Sequence, residues 1–188
     1  MSKTTELLTD HGVHYWTWGR GESKTLAHLE KEVEDGESVL IEENGRLIRQ
    51  VRILNIDVLF HTGYFFFESN WYRLKEDRQE FSDGRIRRRN LPSSLAEKLK
   101  AEEVPCRGSV ARALREEIGF QYRPFYCRKI REWEEEKDSP SYPGLFMRAE
   151  ISLWLASLLQ EDCNENGYVE IQEDKKTFFV WERTSLED

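Results

Sequence analysis

Two adjacent glutamates near the middle of the chain, Glu116 and Glu117, are the residues best suited to chemistry. They lie towards the end of a segment, residues 108–120, whose pattern is typical of an amphipathic helix. At about 100° per residue, the apolar side of that helix is formed by Val110, Ala113, Leu114 and Ile118. Glu117 falls within this apolar side, with Glu116 beside it. Because a carboxylate there is costly to bury without a cation or hydrogen-bond donor, the sequence predicts a compensating partner for Glu117.

Two kinds of partner are consistent with this pattern. The first is a salt bridge or a hydrogen bond to nearby backbone, with Arg112 placed four residues before Glu116 to form an ion pair. The second is a divalent metal, because hard cations such as Mg²⁺ take oxygen ligands and adjacent glutamates supply them. The pattern alone leaves both open.

Residues 112–120, with the sequence RALREEIGF, resemble the second half of a Nudix box, G-x5-E-x7-R-E-U-x-E-E-x-G-U, in which U is aliphatic. The matching residues are Arg112, Leu114, Glu116, Glu117, Gly119 and Phe120. The resemblance implies an α/β (α+β) fold, namely an α/β/α sandwich with a mixed β-sheet. It also implies Mg²⁺ or Mn²⁺ as cofactor and hydrolysis of a nucleoside diphosphate linked to another group.

The resemblance also implies roles for individual residues. Glu116, Glu117 and Arg112 become the catalytic set, with Arg112 holding the box loop, and Glu103, Glu116 and Glu117 become the metal ligands. Glu103 takes the place of the upstream glutamate only if one residue is inserted, since the ungapped count reaches Val104. Ala113 stands where the family has a glutamate. A reduced ligand set therefore leaves open whether the chain is an enzyme.

Two interpretations of the function follow. The chain is a metal-dependent hydrolase of nucleoside diphosphate derivatives, or it is a catalytically inactive Nudix-fold module that binds a nucleotide or a protein partner. Both imply a small phosphate-containing ligand or a partner in the same groove. Glu134, Glu170 and Glu173 are candidates for a further metal ligand, and the sequence does not rank these three.

A cluster of arginines lies upstream of the box, at positions 85, 87, 88 and 89. One interpretation is a solvated edge strand, whose charges prevent pairing with other strands. The other is a phosphate clamp, because guanidinium groups match phosphate oxygens. The second interpretation assigns Arg85, Arg87 and Arg89 to substrate binding. The aromatic segments 64–67 and 71–72 are predicted to pack in the core.

The composition limits the class of protein. The chain has 188 residues, with 28 basic and 36 acidic side chains and a net charge of −8. Its aromatic content excludes a disordered chain, and its negative charge makes a nucleic-acid partner unfavourable. Three widely spaced cysteines form no CxxC pair, which argues against a zinc ribbon. With no apolar run long enough for a membrane or signal segment, we expect a cytoplasmic protein without a membrane partner. The sequence leaves open whether the chain forms a homodimer.

The elements that must position these residues follow from periodicity. Residues 1–35 are predicted to form an N-terminal arm and an amphipathic helix, and residues 36–188 a Nudix-like domain. Strands are predicted at 38–42, at 47–60, with a bulge or break near Arg52, and at 64–81. Hairpin turns fall at Asn44-Gly45 and Asp83-Gly84. Further strands are predicted at 126–133, 145–155, 168–172 and 177–182, and none at 91–119.

Overall fold

The structure, a computed structural model, describes residues 2–63 and 70–185. This part of the chain is mixed α+β, with few helices and a large amount of strand, which confirms the coarse fold class. Its helices are α1 (Lys3–Asp10), α2 (Leu26–Glu34) and α3 (Arg107–Ile118). Its strands are β1 (Val39–Glu43), β2 (Arg46–Thr62), β3 (Asn70–Phe81), β4 (Ile86–Arg87), β5 (Leu95–Leu99), β6 (Tyr126–Asp138), β7 (Phe146–Leu158), β8 (Tyr168–Ile171) and β9 (Lys175–Thr184).

The chain divides into two compact units. The first unit comprises Met1–Ile53, Lys98–Val104 and Glu132–Ile151, and the second comprises Leu54–Glu97, Pro105–Arg131 and Ser152–Asp188. Strands β2, β6 and β7 each contribute one part to each unit. Residues 1–35 lie wholly in the first unit, and the boundary predicted at residue 36 stays a prediction.

The first unit begins with a helix where the sequence predicts an arm. The Ser2 hydroxyl caps α1 by accepting from the Thr5 N–H at 3.2 Å, and Leu8 on this helix is fully buried. Trp18, further along the same N-terminal segment, is buried, and its indole N–H donates to the Pro143 carbonyl at 2.9 Å. Trp16, in contrast, is 66% exposed.

Helix α2 is the amphipathic helix predicted within residues 1–35, and it begins at Leu26 with Thr25 as its N-cap. The Thr25 hydroxyl accepts from the His28 N–H, while the His28 ring accepts from the Thr25 N–H, so the two form a capping box.

The predicted hairpin turn at Asn44-Gly45 is confirmed. Both residues have positive φ, 51° and 74°, and Glu43 pairs with Arg46 across the two-residue loop.

A buried charge network joins the elements of the first unit at Glu32 of α2. One carboxylate oxygen lies 2.7 Å from the Lys24 ammonium and 2.5 Å from the Lys98 ammonium. The other oxygen accepts from Arg49 at 2.7 Å and from the Ser38 hydroxyl at 2.9 Å. Burial raises the pKa of Glu32, but the hydrogen bonds from the two lysines and the charge of Arg49 outweigh it and hold the pKa well below its usual range.

In the second unit, β3 pairs with the end of β2, with β4 and with β9, and β9 pairs with β8, all antiparallel. Strand β2 continues through Arg52, so the strand does not break there, and the alternative of a bulge stays a prediction. The burial pattern of β2 changes there. Arg49 and Val51 are buried before Arg52, and Leu54, Ile56 and Val58 are buried after it. The predicted segment 64–69 lies outside the described residues.

We predict that Glu32→Gln lowers the free energy of unfolding by about 3 to 5 kcal/mol at pH 7, because three cations lose their shared carboxylate. Urea denaturation measures this. Glu34→Gln, on the exposed side of the same helix, is the matched control and should change stability by less than about 0.5 kcal/mol.

The effect of Glu32→Gln should also depend on pH. Since folding lowers the pKa of Glu32, its contribution is present above the unfolded value, about 4.3, and is lost as the pH falls below it. The difference in stability should therefore narrow in acid. Equal stability of the parent and Glu32→Gln at pH 7 would contradict the importance of the network.

Candidate carboxylate site

Helix α3 carries the candidate site and matches its predicted form. All four residues of the predicted apolar side are buried, namely Val110, Ala113, Leu114 and Ile118. The helix ends at Gly119, which has a φ of 69° and whose N–H donates to the Arg115 carbonyl at 3.0 Å. The Phe120 N–H donates to the Leu114 carbonyl at 3.1 Å, as in a Schellman ending. The glycine stop is therefore confirmed.

Arg112 on α3 lies between two carboxylates. Its Nη2 donates to Glu97 Oε1 at 3.0 Å, and its Nε lies 3.8 Å from Glu116 Oε2. The Glu116 side chain is 55% exposed, so this second pair contributes little stability. The Glu97 side chain is only 15% exposed, and the residue lies on β5, a strand that the sequence does not predict.

Glu117 is the electrostatically unusual residue of the second unit. Burial, the largest cause, and the charges of Glu170, Glu97 and Glu116 together raise the pKa of its carboxyl group to about 7, while the charge of Lys175 opposes the shift. The sequence predicts a compensating partner for Glu117, but its one cationic neighbour, Lys175, shifts its pKa less than the three carboxylates together do. We refer to Glu97, Glu116, Glu117 and Glu170 as the α3 carboxylate group.

Strand β8 supplies Glu170 to this group, because β8 packs against α3. Glu170 lies opposite Thr177 on β9, and its Oε1 accepts from the Gln172 side chain at 2.5 Å. The two other candidates for a further ligand lie elsewhere. Glu134 is in the first unit, 3.7 Å from Arg148, and Glu173 is exposed in the turn between β8 and β9.

The α3 carboxylate group is an electrostatic cluster rather than a formed ligand set. Across residues 2–63 and 70–185, no three His, Cys, Asp or Glu side chains are close enough to hold a metal ion together. Glu103, predicted as a metal ligand, belongs to the first unit, where its backbone carbonyl accepts from Arg52 at 3.3 Å. The ligand set of Glu103, Glu116 and Glu117 stays a prediction.

The predicted phosphate-binding arginines are engaged by acids of the same hairpin. Arg85 Nε donates to Asp83 at 2.6 Å, Arg88 donates to Asp77 at 2.9 Å, and Arg89 forms a two-pronged pair with buried Glu76. Arg87 lies opposite Gln79 in the β3–β4 pairing. The sequence indicated the arginines but not these partners, with which a phosphate must compete.

A groove of about 540 Å³ lies beside these arginines in the second unit. It is lined by both signs of charge and by one indole ring, from Lys75, Glu76, Asp77, Arg88, Arg89 and Trp181 among others. Its volume suits a small ligand, but its mixed charges do not favour a phosphate over a cationic group.

Among the predicted core aromatics, Tyr72 stacks on Phe60 with ring centroids 5.0 Å apart.

We predict that Glu117→Gln makes the protein more stable at pH 8, by about 1 to 3 kcal/mol, and changes stability little at pH 5. Folding raises the pKa of Glu117, so its contribution is present below the unfolded value and is lost as the pH rises through about 7. Urea denaturation at both pH values measures this.

The matched control for that experiment is Glu173→Gln, which removes an exposed carboxylate close in sequence to Glu170. Its stability should follow the parent at both pH values. If Glu117→Gln loses stability between pH 5 and pH 8 as steeply as the parent does, Glu117 does not titrate near neutrality.

Within the described ranges, no helix combines the length and apolar character of a membrane span. Comparison with family models matched none of them. Comparisons with curated proteins and with solved structures likewise gave no significant match. The Nudix-like resemblance of residues 112–120 stays a prediction, and the function is argued from the chemistry of the α3 carboxylate group.

Proposed function

We propose that the α3 carboxylate group binds a divalent cation, Mg²⁺ or Mn²⁺, and that the chain is a metal-dependent hydrolase of nucleoside diphosphate derivatives with a reduced ligand set. The observation that carries the proposal is the position of Glu117, whose half-buried carboxyl group has Glu170 and Glu97 as its strongest charged neighbours, with Lys175 opposing them only in part. Like charges in a partly desolvated site are costly, and a doubly charged cation removes that cost.

The carboxylates supply the oxygen ligands that Mg²⁺ and Mn²⁺ prefer. Glu117 and Glu170 lie on a helix and a strand that contact each other, and the proposal requires both side chains to turn their oxygens towards a common ion. Substrate phosphates complete the coordination, as Mg²⁺ commonly requires. Bound there, the cation would polarise a phosphoryl oxygen and lower the pKa of an attacking water.

The chain's own residues have separate tasks in this scheme. Arg112 fixes Glu97 and Glu116, because its guanidinium group lies within ionic distance of both carboxylates. Glu117 accepts a proton near neutral pH when no cation is bound, and binding of the cation should lower its pKa. Proton release on metal binding at pH 7 is therefore a signature of this site.

A second candidate function is a non-catalytic module that binds a nucleotide or a protein partner. Ala113 favours it, because this residue is fully buried at the position where the Nudix pattern places a glutamate. The acid-paired arginines favour it as well, since no phosphate clamp is formed in advance. In this case ligand binding is independent of metal.

We predict that the protein binds Mn²⁺ and releases a proton at pH 7, and that Glu117→Gln and Glu170→Gln each weaken binding at least about tenfold. Calorimetry in buffers of different ionisation enthalpy measures both the affinity and the proton. Glu173→Gln, which removes the same charge from the exposed turn, should bind as the parent does.

A phosphate-release screen over nucleoside diphosphate derivatives, with Mg²⁺ or Mn²⁺, then tests hydrolysis. Turnover that requires the metal and is lost in Glu117→Gln supports the enzyme. If Mn²⁺ binding is equal in the parent and Glu117→Gln, the metal site is wrong. If no derivative is hydrolysed but one raises the melting temperature without metal, the binding module replaces the hydrolase.

A further inference from the structure

Lys175 is the one cation among the main electrostatic influences on Glu117. It is the first residue of β9 and directly follows the turn from β8. The Gln172 N–H donates to the Lys175 carbonyl at 2.8 Å, so these two residues face each other across the turn. The Lys175 side chain is partly exposed. Its position beside the α3 carboxylate group makes it a candidate to touch whatever that group binds.

The strand register places Lys175 on the same face of the sheet as Glu170. Thr177 lies opposite Glu170 in the β8–β9 pair, and residues directly opposite each other share a face. Lys175 precedes Thr177 by two residues, so its side chain points to that face as well. Lys175 is therefore a diagonal neighbour of Glu170, at a separation of about 7 to 8 Å that a long side chain can span.

Helix α3 contributes to the same place, and all the elements concerned belong to the second unit. α3 packs against β8, and Glu170 of β8 has the largest charge effect on Glu117 of α3. Gln172 holds Glu170 from the side, because its Nε2 donates to Glu170 Oε1 at 2.5 Å. One carboxylate from the helix, one from β8 and one ammonium from β9 therefore lie near the β8–β9 turn.

Lys175 differs from the arginines of the β3–β4 hairpin in its availability. Three of those arginines form ion pairs with acids of the hairpin, namely Arg85, Arg88 and Arg89. Among the residues that the structure describes, the Lys175 ammonium forms no direct ion pair. A phosphate can therefore approach Lys175 without displacing a carboxylate from it, whereas it must compete with an acid at each of the three arginines.

The charge balance of the proposed metal site calls for a further cation. A divalent ion that is held by Glu117 and Glu170 has its two charges balanced by the two carboxylates. A phosphate oxygen can still coordinate such an ion, but the rest of the phosphate group meets no excess of positive charge. A lysine ammonium beside the ion supplies that charge and donates hydrogen bonds to phosphate oxygens.

We propose that Lys175 is the phosphate-binding residue of the α3 carboxylate group, and that its ammonium binds a phosphate that also coordinates the cation held by Glu117 and Glu170. The inference rests on the proposed function, because it requires the cation to bind there. It assigns phosphate recognition to the β8–β9 turn instead of the arginine cluster. The ligand class is a phosphate ester or anhydride that binds together with a divalent cation.

A second role for Lys175 makes a different prediction. A lysine that only offsets the charge of the protein's own carboxylates repels a metal ion, so its removal should strengthen metal binding and cause no separate loss of phosphate. A lysine that binds phosphate also repels the ion, but its removal weakens binding of the phosphate. Separate measurement of metal and phosphate binding therefore distinguishes the two roles.

Calorimetry on the full chain at pH 8 makes both measurements. The probes are Mn²⁺ alone and the Mn²⁺ complex of methylenediphosphonate, a diphosphate analogue that is not hydrolysed. At this pH Glu117 is largely ionised, since its pKa is about 7. Lys175→Gln should bind Mn²⁺ at least as tightly as the parent does, and the complex at least about tenfold more weakly, because a charge-assisted hydrogen bond is lost.

Lys176→Gln is the matched control. Lys176 is the next residue of β9, is exposed and points to the opposite face of the sheet, so the same charge is removed away from the site. This variant should bind both probes as the parent does. Circular dichroism identical to the parent shows that the variants fold. Lys175→Met, which keeps much of the side-chain length, carries the same expectations if Lys175→Gln does not fold.

The outcomes separate this inference from the proposed function. Equal affinity of the parent and Lys175→Gln for the complex overturns the inference and leaves the metal site in place. An equal loss in Lys175→Gln and Lys176→Gln also overturns it, because the effect is then one of net charge. If the parent does not bind Mn²⁺, the metal site is wrong and the inference fails with it.

Discussion

The cost of burying a carboxylate governs both compact units of this protein, and each unit meets it differently. In the first unit, Glu32 is surrounded by Lys24, Lys98 and Arg49, so that its negative charge is stabilised and its pKa is held low. In the second unit, the main charged neighbours of Glu117 are other carboxylates, and its pKa rises to about 7. The same type of side chain is part of a structural network in one environment and a candidate for chemistry in the other.

The contrast explains why only one of these glutamates is a candidate for function. Glu32 has its hydrogen-bonding capacity filled on both oxygens, by two lysines on one and by an arginine and a serine on the other. A carboxylate whose hydrogen bonds are all made within the protein stabilises the structure and has little capacity left to bind a ligand. The ionised form of Glu117 is instead destabilised by its surroundings, and a bound cation or proton removes that cost.

Much of α3 could be predicted from the sequence, because its information is local. The apolar spacing fixed which residues are buried, and Gly119 marked the end of the helix. The inward position of Glu117 followed from the same spacing. The surroundings of Glu117 could be predicted only in part: Glu170 is one of three candidate ligands that the sequence does not rank, and Glu97 lies on a strand that it does not predict. β5, which carries Glu97, has only five residues and too short an alternation to be recognised.

The arginine cluster at residues 85–89 is visible in the sequence, but the partners of its side chains are not. Their clustering was visible, but their partners depend on the β3–β4 pairing, which brings Arg89 to Glu76 and Arg88 to Asp77. Helix α1 was missed for a related reason. Its helical content depends on a cap at Ser2 and on tertiary burial of Leu8, and neither shows as a regular apolar period.

The complete burial of Ala113 restricts how this chain could evolve. A single substitution to glutamate would give the helix a third acid, yet it would insert a charged and larger side chain among Val110, Leu114 and their neighbours. Most such mutants would be destabilised. A third acid at this position would therefore require earlier changes that open the packing around it.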